Sequence, residues 1–467
     1  MSQELKHTAT EARSLHDYRK VYFIGIGGIG MSALARFFKS KGAAVAGYDR
    51  HATPLTAALK QEGVHIHFEE NPGLVPSDTE LVVYTPAISA GNKELLYCRE
   101  SGMEVVKRSD VLQWITEQSY NICVGGSHGK TSISAMTAHI LRHTGYGCNA
   151  FLGGIAVNYD SNFWASEKAV SVIEADEYDR SFLKLSPDIA VITAMDADHL
   201  DIYGTPTEVE NAYIAFSART KPGGLLISKL GLKRDSELAA DNHLRYSRFD
   251  NEADIYARNL RVEDGSYVFD VSFKGQPIDG LHLSIGGLHN VENMVAAVGV
   301  AAYLRISAEK IKAAVQDFKG VKRRFEYYLK TDRHILIDDY AHHPEEIAAL
   351  IEGVRSLYGQ KLTVVFQPHL YSRTKDLAAE FSQALDKADE VILLPVYPAR
   401  EAPMEGVSSE LILNGMYLED KRILDKEKLL SAIEQEDPAL LVLCGAGDIA
   451  ELLLPVQDIL EHNERKS

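Results

Sequence analysis

Residues 122–141 constrain the fold of this chain more than any other stretch. An apolar run, Ile122-Cys123-Val124, leads into Gly126-Ser127-His128-Gly129-Lys130-Thr131-Ser132, and a helix-like segment follows from Ser134 to Leu141. A strand that passes through a glycine-rich loop straight into a helix belongs in a parallel sheet, with the loop at the carboxyl edge. In that position small residues let backbone N–H groups close around a phosphate, and the helix N-terminus adds partial positive charge. Lys130 is placed to neutralise terminal phosphate oxygens, and the Thr131 hydroxyl to ligate magnesium. The loop departs from the standard spacing in one respect. The position that would carry its first glycine is Val124, so counted from Gly125 the loop is one residue short.

Similar alternation extends to both sides. Val21-Tyr22-Phe23-Ile24 is followed by the glycine turn Gly25 to Gly30, a helix from Met31 to Ser40, a strand at Ala44 to Tyr48, and another at Leu81-Val82-Val83-Tyr84. After the phosphate-type loop come buried-strand candidates at Val170 to Ile173 and Ile189 to Ile192. From Ala253 to Leu283 the period changes to two, bounded by Gly265 and Gly275, as expected of an antiparallel patch. A third series has strands at Ile335-Leu336-Ile337, Thr363 to Phe366, Val391 to Leu394 and Leu440 to Leu443. Strands alternating with helices imply right-handed crossovers and parallel sheets. At 467 residues the chain is too long for one core. The expected fold is α/β in three domains: a Rossmann-like domain over 1–118, a central phosphate-loop domain with a small antiparallel patch over 119–318, and a second Rossmann-like domain over 319–467.

Charge and cysteine usage bound the partners. A formal charge of −17 argues against nucleic acid, so cations for a phosphate must be placed locally. The four cysteines have neither metal-ligand nor disulfide spacing, which suits a reducing cytoplasm. The first 20 residues are polar and mixed in charge, unlike a signal peptide, and no apolar run is long enough to insert in a membrane.

Four constellations carry chemistry. The turn Gly25-Ile26-Gly27-Gly28-Ile29-Gly30, followed by Met31 and by Asp49 at the end of the next strand, suits a nucleotide diphosphate and a ribose or other hydroxyl. Glu174-Ala175-Asp176-Glu177 and Asp196, Asp198, His199 and Asp201 end two strand-like runs, read as adjacent, and form a candidate magnesium site. Asp338-Asp339-Tyr340-Ala341-His342-His343-Pro344 and Gln367-Pro368-His369-Leu370-Tyr371-Ser372-Arg373 end two further runs, also read as adjacent, where Arg373 suits a carboxylate. Arg323-Arg324 either caps a transferred phosphate or pairs with nearby acids.

Taken in order, these segments resemble the Mur ligases of peptidoglycan synthesis, from Tyr22 to about Leu454. The likeness is carried by Phe23 to Ser32, the short loop ending in Gly129-Lys130-Thr131, Glu174-Ala175-Asp176-Glu177, Asp198-His199, His289-Asn290, Asp339 to Pro344 and Phe366-Gln367-Pro368-His369. The shortened phosphate loop is typical of that family. The resemblance implies that the first domain holds UDP-N-acetylmuramate, through Gly27, Gly28, Ile29, Gly30, Met31 and Asp49. It implies that the central domain binds ATP through Gly126 to Ser132, His289 and Asn290, with Asp339 on the ribose. It implies magnesium or manganese on Thr131, Glu174 and His199, and L-alanine received by Tyr340, His342, His369 and Arg373. The implied reaction makes an acyl phosphate of the lactyl carboxylate, which the amine of L-alanine attacks, with Lys130, His199 and Arg324 as catalytic groups. Small-molecule substrates and a monomer or homodimer are expected. Two positions depart from the family pattern, Leu288 and Leu370, where relatives commonly carry arginine.

Three other readings stay open on the sequence. A ligase attaching a preformed peptide to the same UDP-sugar shares these motifs. A dehydrogenase fused to an ATPase would explain Asp49 after the glycine turn but gives Lys130 no part in hydride transfer. A nucleotide-binding regulator leaves the paired acidic clusters without a task.

Overall fold

The computed structural model describes residues 15, 17–196, 200–399 and 401–466. Within them the strands form three sheets. The first joins β1 (Lys20–Ile24), β2 (Ala44–Tyr48), β3 (His65–His67), β4 (Leu81–Tyr84) and β5 (Glu104–Lys107), all parallel, in the order β3-β2-β1-β4-β5. Val21 to Ile24 of β1 are buried, as an unbroken apolar run requires when helices cover both faces. The winding reverses at β1, which places Gly25 to Gly30 in the crevice where open α/β sheets bind ligands.

The central sheet comprises β6 (Tyr120–Gly125), β7 (Asn149–Ala156), β8 (Ser161–Trp164), β9 (Val170–Glu174), β10 (Ile189–Ile192), β11 (Leu225–Lys229), β12 (Asn242–Ser247), β13 (Ile255–Glu263), β14 (Ser266–Phe273) and β15 (Gln276–Leu283). Its order is β15-β14-β13-β12-β11-β10-β6-β9-β7-β8. The period-two stretch is an antiparallel three-stranded meander that continues the same sheet through parallel pairing of β12 and β13. One sequence expectation is corrected here: β9 and β10 are not neighbours, because β6 lies between them. The two acidic runs therefore flank the phosphate-type loop on either side.

The third sheet holds β16 (Glu326–Lys330), β17 (Ile335–Asp339), β18 (Leu362–Phe366), β19 (Glu390–Leu393), β20 (Lys421–Ile423) and β21 (Leu440–Cys444), ordered β16-β17-β21-β18-β19-β20. Only β16 runs antiparallel to its neighbour. A second correction follows, since β21 separates β17 from β18 and the two histidine-bearing runs end strands that are not adjacent.

Shared apolar packing fixes the sheets against one another. On one side Phe37, from the helix Ile29–Ser40, places its ring 5.5 Å from Phe151 and 6.2 Å from Phe163 of the central sheet. The fully buried Asn162 donates to Ile29 O at 2.6 Å and to Ser32 Oγ at 3.0 Å of the same helix. On the other side one apolar cluster runs from Tyr267 and Phe269 through Phe325 into Ile337 and Val364. Backbone bonds from Val157 to Gly320 O, 3.0 Å, and from Lys322 to Ile155 O, 2.8 Å, stitch the second crossing. No helix among the described residues is long and apolar enough to cross a membrane.

Candidate active site

The loop after β6 leads into the helix Lys130–His143, whose Ile133, Ala135, Met136, Ala138, Ile140 and Leu141 are completely buried. That helix is covered nearly all round, by the sheet and by the helix Leu288–Tyr303, so its N-terminus is rigidly placed. The loop geometry demands glycine at position 126, where φ is +139° and an added Cβ would lie 2.0 Å from Thr193 Oγ1. Gly129, with φ +79°, is the N-cap, and an added Cβ there would lie 2.8 Å from Asn293 Oδ1. Asn293, from the second turn of the helix Leu288–Tyr303, thus reaches the loop at Gly129, where the helix Lys130–His143 begins and adds its partial positive charge.

Three carboxylates in the turn after β9 each hold a different group. Glu174 accepts from the Thr131 hydroxyl at 2.9 Å and from Gly153 N at 2.8 Å. Burial pushes its pKa above the usual carboxylate range, opposed by those two hydrogen bonds and by the charges of Lys130 and Arg324. Glu177, with a side chain 2% exposed, accepts from Lys130 Nζ at 2.8 Å, and Lys130 also donates to Gly126 O at 2.7 Å. Asp176 accepts from Arg108 Nη2 at 3.1 Å. Ser127 Oγ donates to Asp196 O at 2.9 Å, and the exposed His128 ring lies 3.8 Å from the Asp196 carboxylate. Asp198 and His199 lie outside the described residues.

Across the loop, buried Asn290 donates to Gly286 O at 2.7 Å, and its Oδ1 accepts from Asn293 at 3.3 Å. His289 curls over Gly287, where an added Cβ would lie 2.4 Å from its Cε1. The Phe325 ring covers Gly286 so closely that a Cβ would fall 1.9 Å from it. Asp339 accepts from Phe325 N and Ala341 N, both at 2.7 Å, and burial lifts its pKa to about 6. The two arginines that the sequence left ambiguous divide the roles. Arg323 is engaged, with Asp338 Oδ2 at 3.1 Å, Gly445 O at 2.6 Å and the Tyr340 ring at 5.1 Å. Arg324 is exposed, makes no side-chain hydrogen bond or ion pair among the described residues, and its charge bears on Glu174, His289 and Asp339 together.

In the first sheet Asp49 turns inward: its Oδ2 accepts from Gly27 N at 2.7 Å and its Oδ1 from His51 N at 3.2 Å. It therefore braces the glycine turn from within. Gly28 is the N-cap of the helix Ile29–Ser40, so the free N–H groups of Ile29, Gly30 and Met31 begin that helix.

In the third sheet a chain of rings links the two histidine-bearing runs across β21. Tyr340 lies 5.0 Å from His342, His342 lies 6.3 Å from His369, and His369 stacks on Tyr397 at 5.7 Å. Burial and the charges of Arg373 and His342 hold the His369 pKa below the ordinary histidine value. His343 is the N-cap of the helix Pro344–Leu357, a structural place that its proline and acidic followers foretold. Leu370 adopts φ +69°, a strained backbone for leucine, directly before the helix that carries Arg373. Beyond Tyr397 lies a cavity of about 290 Å³ lined by Gln367, Asp425, Lys426 and Asp448. Its polar groups already bond one another, Lys426 to Asp448 at 2.8 Å and Gln367 to Asp448 at 2.7 Å.

Sequence reading missed Arg108, Asn293 and Tyr397. Glu177, quoted only as part of an acidic run, turns out to hold Lys130 itself. Among the described residues no group of three histidine, cysteine or acidic side chains is arranged to hold a metal. Two oxygen donors, Thr131 Oγ1 and Glu174 Oε1, nevertheless stand together at the helix start, and a hard ion that binds one or two carboxylates plus substrate phosphates fits such a pair.

A lysine and a hydroxyl at a helix start, braced by carboxylates and facing a second α/β sheet, define an enzyme of the phosphate-loop class that works on a nucleotide. Comparison with known proteins narrows the class. Residues 20–120 match the model of the Mur ligase family, catalytic domain, residues 124–301 the Mur ligase middle domain, and residues 323–447 the Mur ligase, glutamate ligase domain. The chain belongs to the Mur ligase family. It is 43% identical over 457 residues to the UDP-N-acetylmuramate–L-alanine ligase of Christiangramia forsetii, covering 96% of this chain and 99% of that protein. It is 44% identical over 452 residues to the ligase of the same name from Porphyromonas gingivalis, covering 95% and 99%. The crystal structure of the UDP-N-acetylmuramate–alanine ligase of Thermotoga maritima superposes with a TM-score of 0.79 at 27% identity, covering 96% of this chain and all of that one. A murein peptide ligase from Psychrobacter arcticus shares the fold, with a TM-score of 0.64 at 22% identity and coverage of 94% and 98%.

Proposed function

We propose that this chain is an ATP-dependent ligase that joins L-alanine to the lactyl carboxylate of UDP-N-acetylmuramate in peptidoglycan precursor synthesis. The observation that carries the reading is the identity of 43% with the Christiangramia ligase of that name along almost the full length of both chains. The reading assigns a division of labour. The Gly25 to Met31 turn receives the UDP-sugar, with Asp49 keeping the turn in shape. Lys130 and the N–H groups of Gly129 to Ser132 receive the ATP phosphates, while Asn290, His289 and Asp339 receive the nucleoside. Thr131 and Glu174 would hold magnesium, which would neutralise phosphate charge.

The chemistry follows from charge. A carboxylate oxygen and the γ-phosphate oxygens repel until cations offset their charge, and Lys130 and Arg324, whose charges both bear on Glu174, supply such cations. The lactyl oxygen then attacks the γ-phosphorus, the bond to ADP breaks, and an acyl phosphate forms. The amine of L-alanine attacks its carbonyl carbon, loses a proton, and expels phosphate to leave the amide. Tyr340, His342, His369 and Arg373 line the approach for the amino acid, with Arg373 on its carboxylate. Arg323 keeps Tyr340 in place through the contact with its ring. The four cysteines are buried free thiols, which suits the cytoplasm as the compartment.

The test is direct. The protein is incubated with ATP, magnesium and UDP-N-acetylmuramate, and L-alanine, glycine, L-serine or an L-Ala-D-Glu-containing peptide is added singly while ADP and product mass are followed. ADP release stimulated by L-alanine, with a product heavier by one alanyl residue, supports the proposal. Stimulation by the peptide alone favours the peptide ligase, and absence of coupled ADP release refutes both.

A further inference from the structure

Arg108 takes no part in the functional residues assigned so far, yet it stands between the two substrate sites. It is the first residue of the helix Arg108–Gln118, immediately after β5, at the carboxyl edge of the first sheet. Its guanidinium lies across the beginning of the helix Ile29–Ser40, so near that a Cβ added to Gly30 would fall 2.5 Å from Arg108 Nη1. Gly30 has an ordinary φ, and a side chain there would have to displace the arginine from its seat. The arginine side chain is only 19% exposed. Of its five N–H donors one is used among the described residues, by Asp176 Oδ2 at 3.1 Å across the boundary to the central sheet, and the second Asp176 oxygen accepts from Tyr178 N at 3.1 Å. Asp176 stands in the same turn as Glu174 and Glu177, which hold Thr131 and Lys130.

A half-buried arginine with most of its fork unused among the described residues, beside a helix start that already offers free backbone N–H groups, has the chemistry of a diphosphate clamp. We propose that Arg108 binds the diphosphate of the UDP-sugar beside Gly30, and that Asp176 is its positioning residue, tying the occupied sugar site to the turn that organises Lys130 and Thr131. This rests on the functional reading above and adds to it a named contact. Charge balance favours the assignment. The diphosphate brings negative charge to a turn where Asp49 faces inward onto Gly27. Asp176 offsets part of the arginine's charge without taking its whole fork.

The experiment measures binding of UDP-N-acetylmuramate, UDP-N-acetylglucosamine and ATP by calorimetry to the full chain and to the variants Arg108→Ala, Arg108→Lys, Asp176→Ala and the double variant. UDP-N-acetylglucosamine shares the diphosphate and lacks the lactyl carboxylate. Arg108→Ala should weaken both sugars by about tenfold or more, as loss of a charge-assisted contact does, and leave ATP affinity within about twofold. Arg108→Lys should recover part of the loss. Asp176→Ala should weaken both sugars less, and should add nothing in the Arg108→Ala background. Loss confined to UDP-N-acetylmuramate would put the arginine on the carboxylate and overturn the diphosphate assignment. Unchanged sugar affinity in a folded Arg108→Ala protein, or additive effects in the double variant, would overturn the proposal alone. A wild-type protein that binds neither sugar would overturn the functional reading with it.

Discussion

Lys130 and Glu177 form an ion pair, Nζ to Oε1 at 2.8 Å, in which the carboxylate is 2% exposed and the lysine 15%. The loop lysine is thus aimed by a buried acid, and its charge is shared between that acid and any phosphate it meets. Glu177→Gln keeps an acceptor oxygen for Lys130 and removes the competing charge. ADP should bind the variant more tightly, by up to about tenfold, the scale of one charge-assisted hydrogen bond. Calorimetric titration with ADP checks this, and unchanged or weaker binding would contradict it.

Lys130→Ala removes the cation from both partners. Turnover should fall by about 10²–10³-fold or more, the scale of losing one group that stabilises developing charge. Stability should fall too, because a buried carboxylate loses this cation. Adding Glu177→Gln should restore part of the stability and none of the turnover, as read by urea unfolding beside ADP release. UDP-sugar binding should persist in both variants, since the Gly25 to Met31 turn belongs to a separate sheet.

These contacts show what the sequence could and could not yield. Gly126, Gly129, Lys130 and Thr131 were legible because they are contiguous and their spacing implies one local geometry. The pairing of Arg108 with Asp176 is not legible, because it joins residues 68 positions apart on different sheets. The adjacency of the acidic runs was misread for a related reason. Where the winding of a doubly wound sheet changes direction, strands consecutive in sequence are separated by a strand laid down earlier or later, as β6 separates β9 from β10 and β21 separates β17 from β18. Asp49 was found by its position after β2, but its inward turn onto Gly27 depends on side-chain direction that no motif encodes. Short and edge strands such as β3, β16 and β20 carry too few apolar residues to stand out from loops.

The metal site should be completed by the nucleotide. Thr131 and Glu174 supply two oxygens, and the described residues offer no third carboxylate, histidine or cysteine grouped with them. Manganese, as a paramagnetic substitute, should therefore bind weakly alone and at least about tenfold more tightly with ADP present, as expected for an ion held jointly by protein and phosphate oxygens. Electron paramagnetic resonance titration reads free manganese directly. Thr131→Val should remove most of the nucleotide-dependent gain, and equally tight binding without ADP would contradict the argument.

Asp339 gives the site a pH dependence whose two parts run in opposite directions. Burial raises its pKa from the ordinary carboxylate value of 3.8 to about 6, so folding favours the protonated form. Its contribution to stability is accordingly full below about 3.8 and is lost as pH rises through about 6. Nucleotide affinity should move the other way, because the ionised carboxylate is the better acceptor for a ribose hydroxyl, so ATP should bind more tightly as pH rises through the same window. Asp339→Asn removes the titration and presents an N–H where Phe325 N and Ala341 N each find an acceptor at 2.7 Å. It should cost about 1–3 kcal/mol of stability, the penalty of leaving one buried donor unpaired. ATP affinity and urea unfolding measured between pH 5 and pH 7.5, in wild type and variant, separate these effects. In the variant the change in ATP affinity across that range should be much reduced, and a slope equal to that of wild type would assign the dependence to another group.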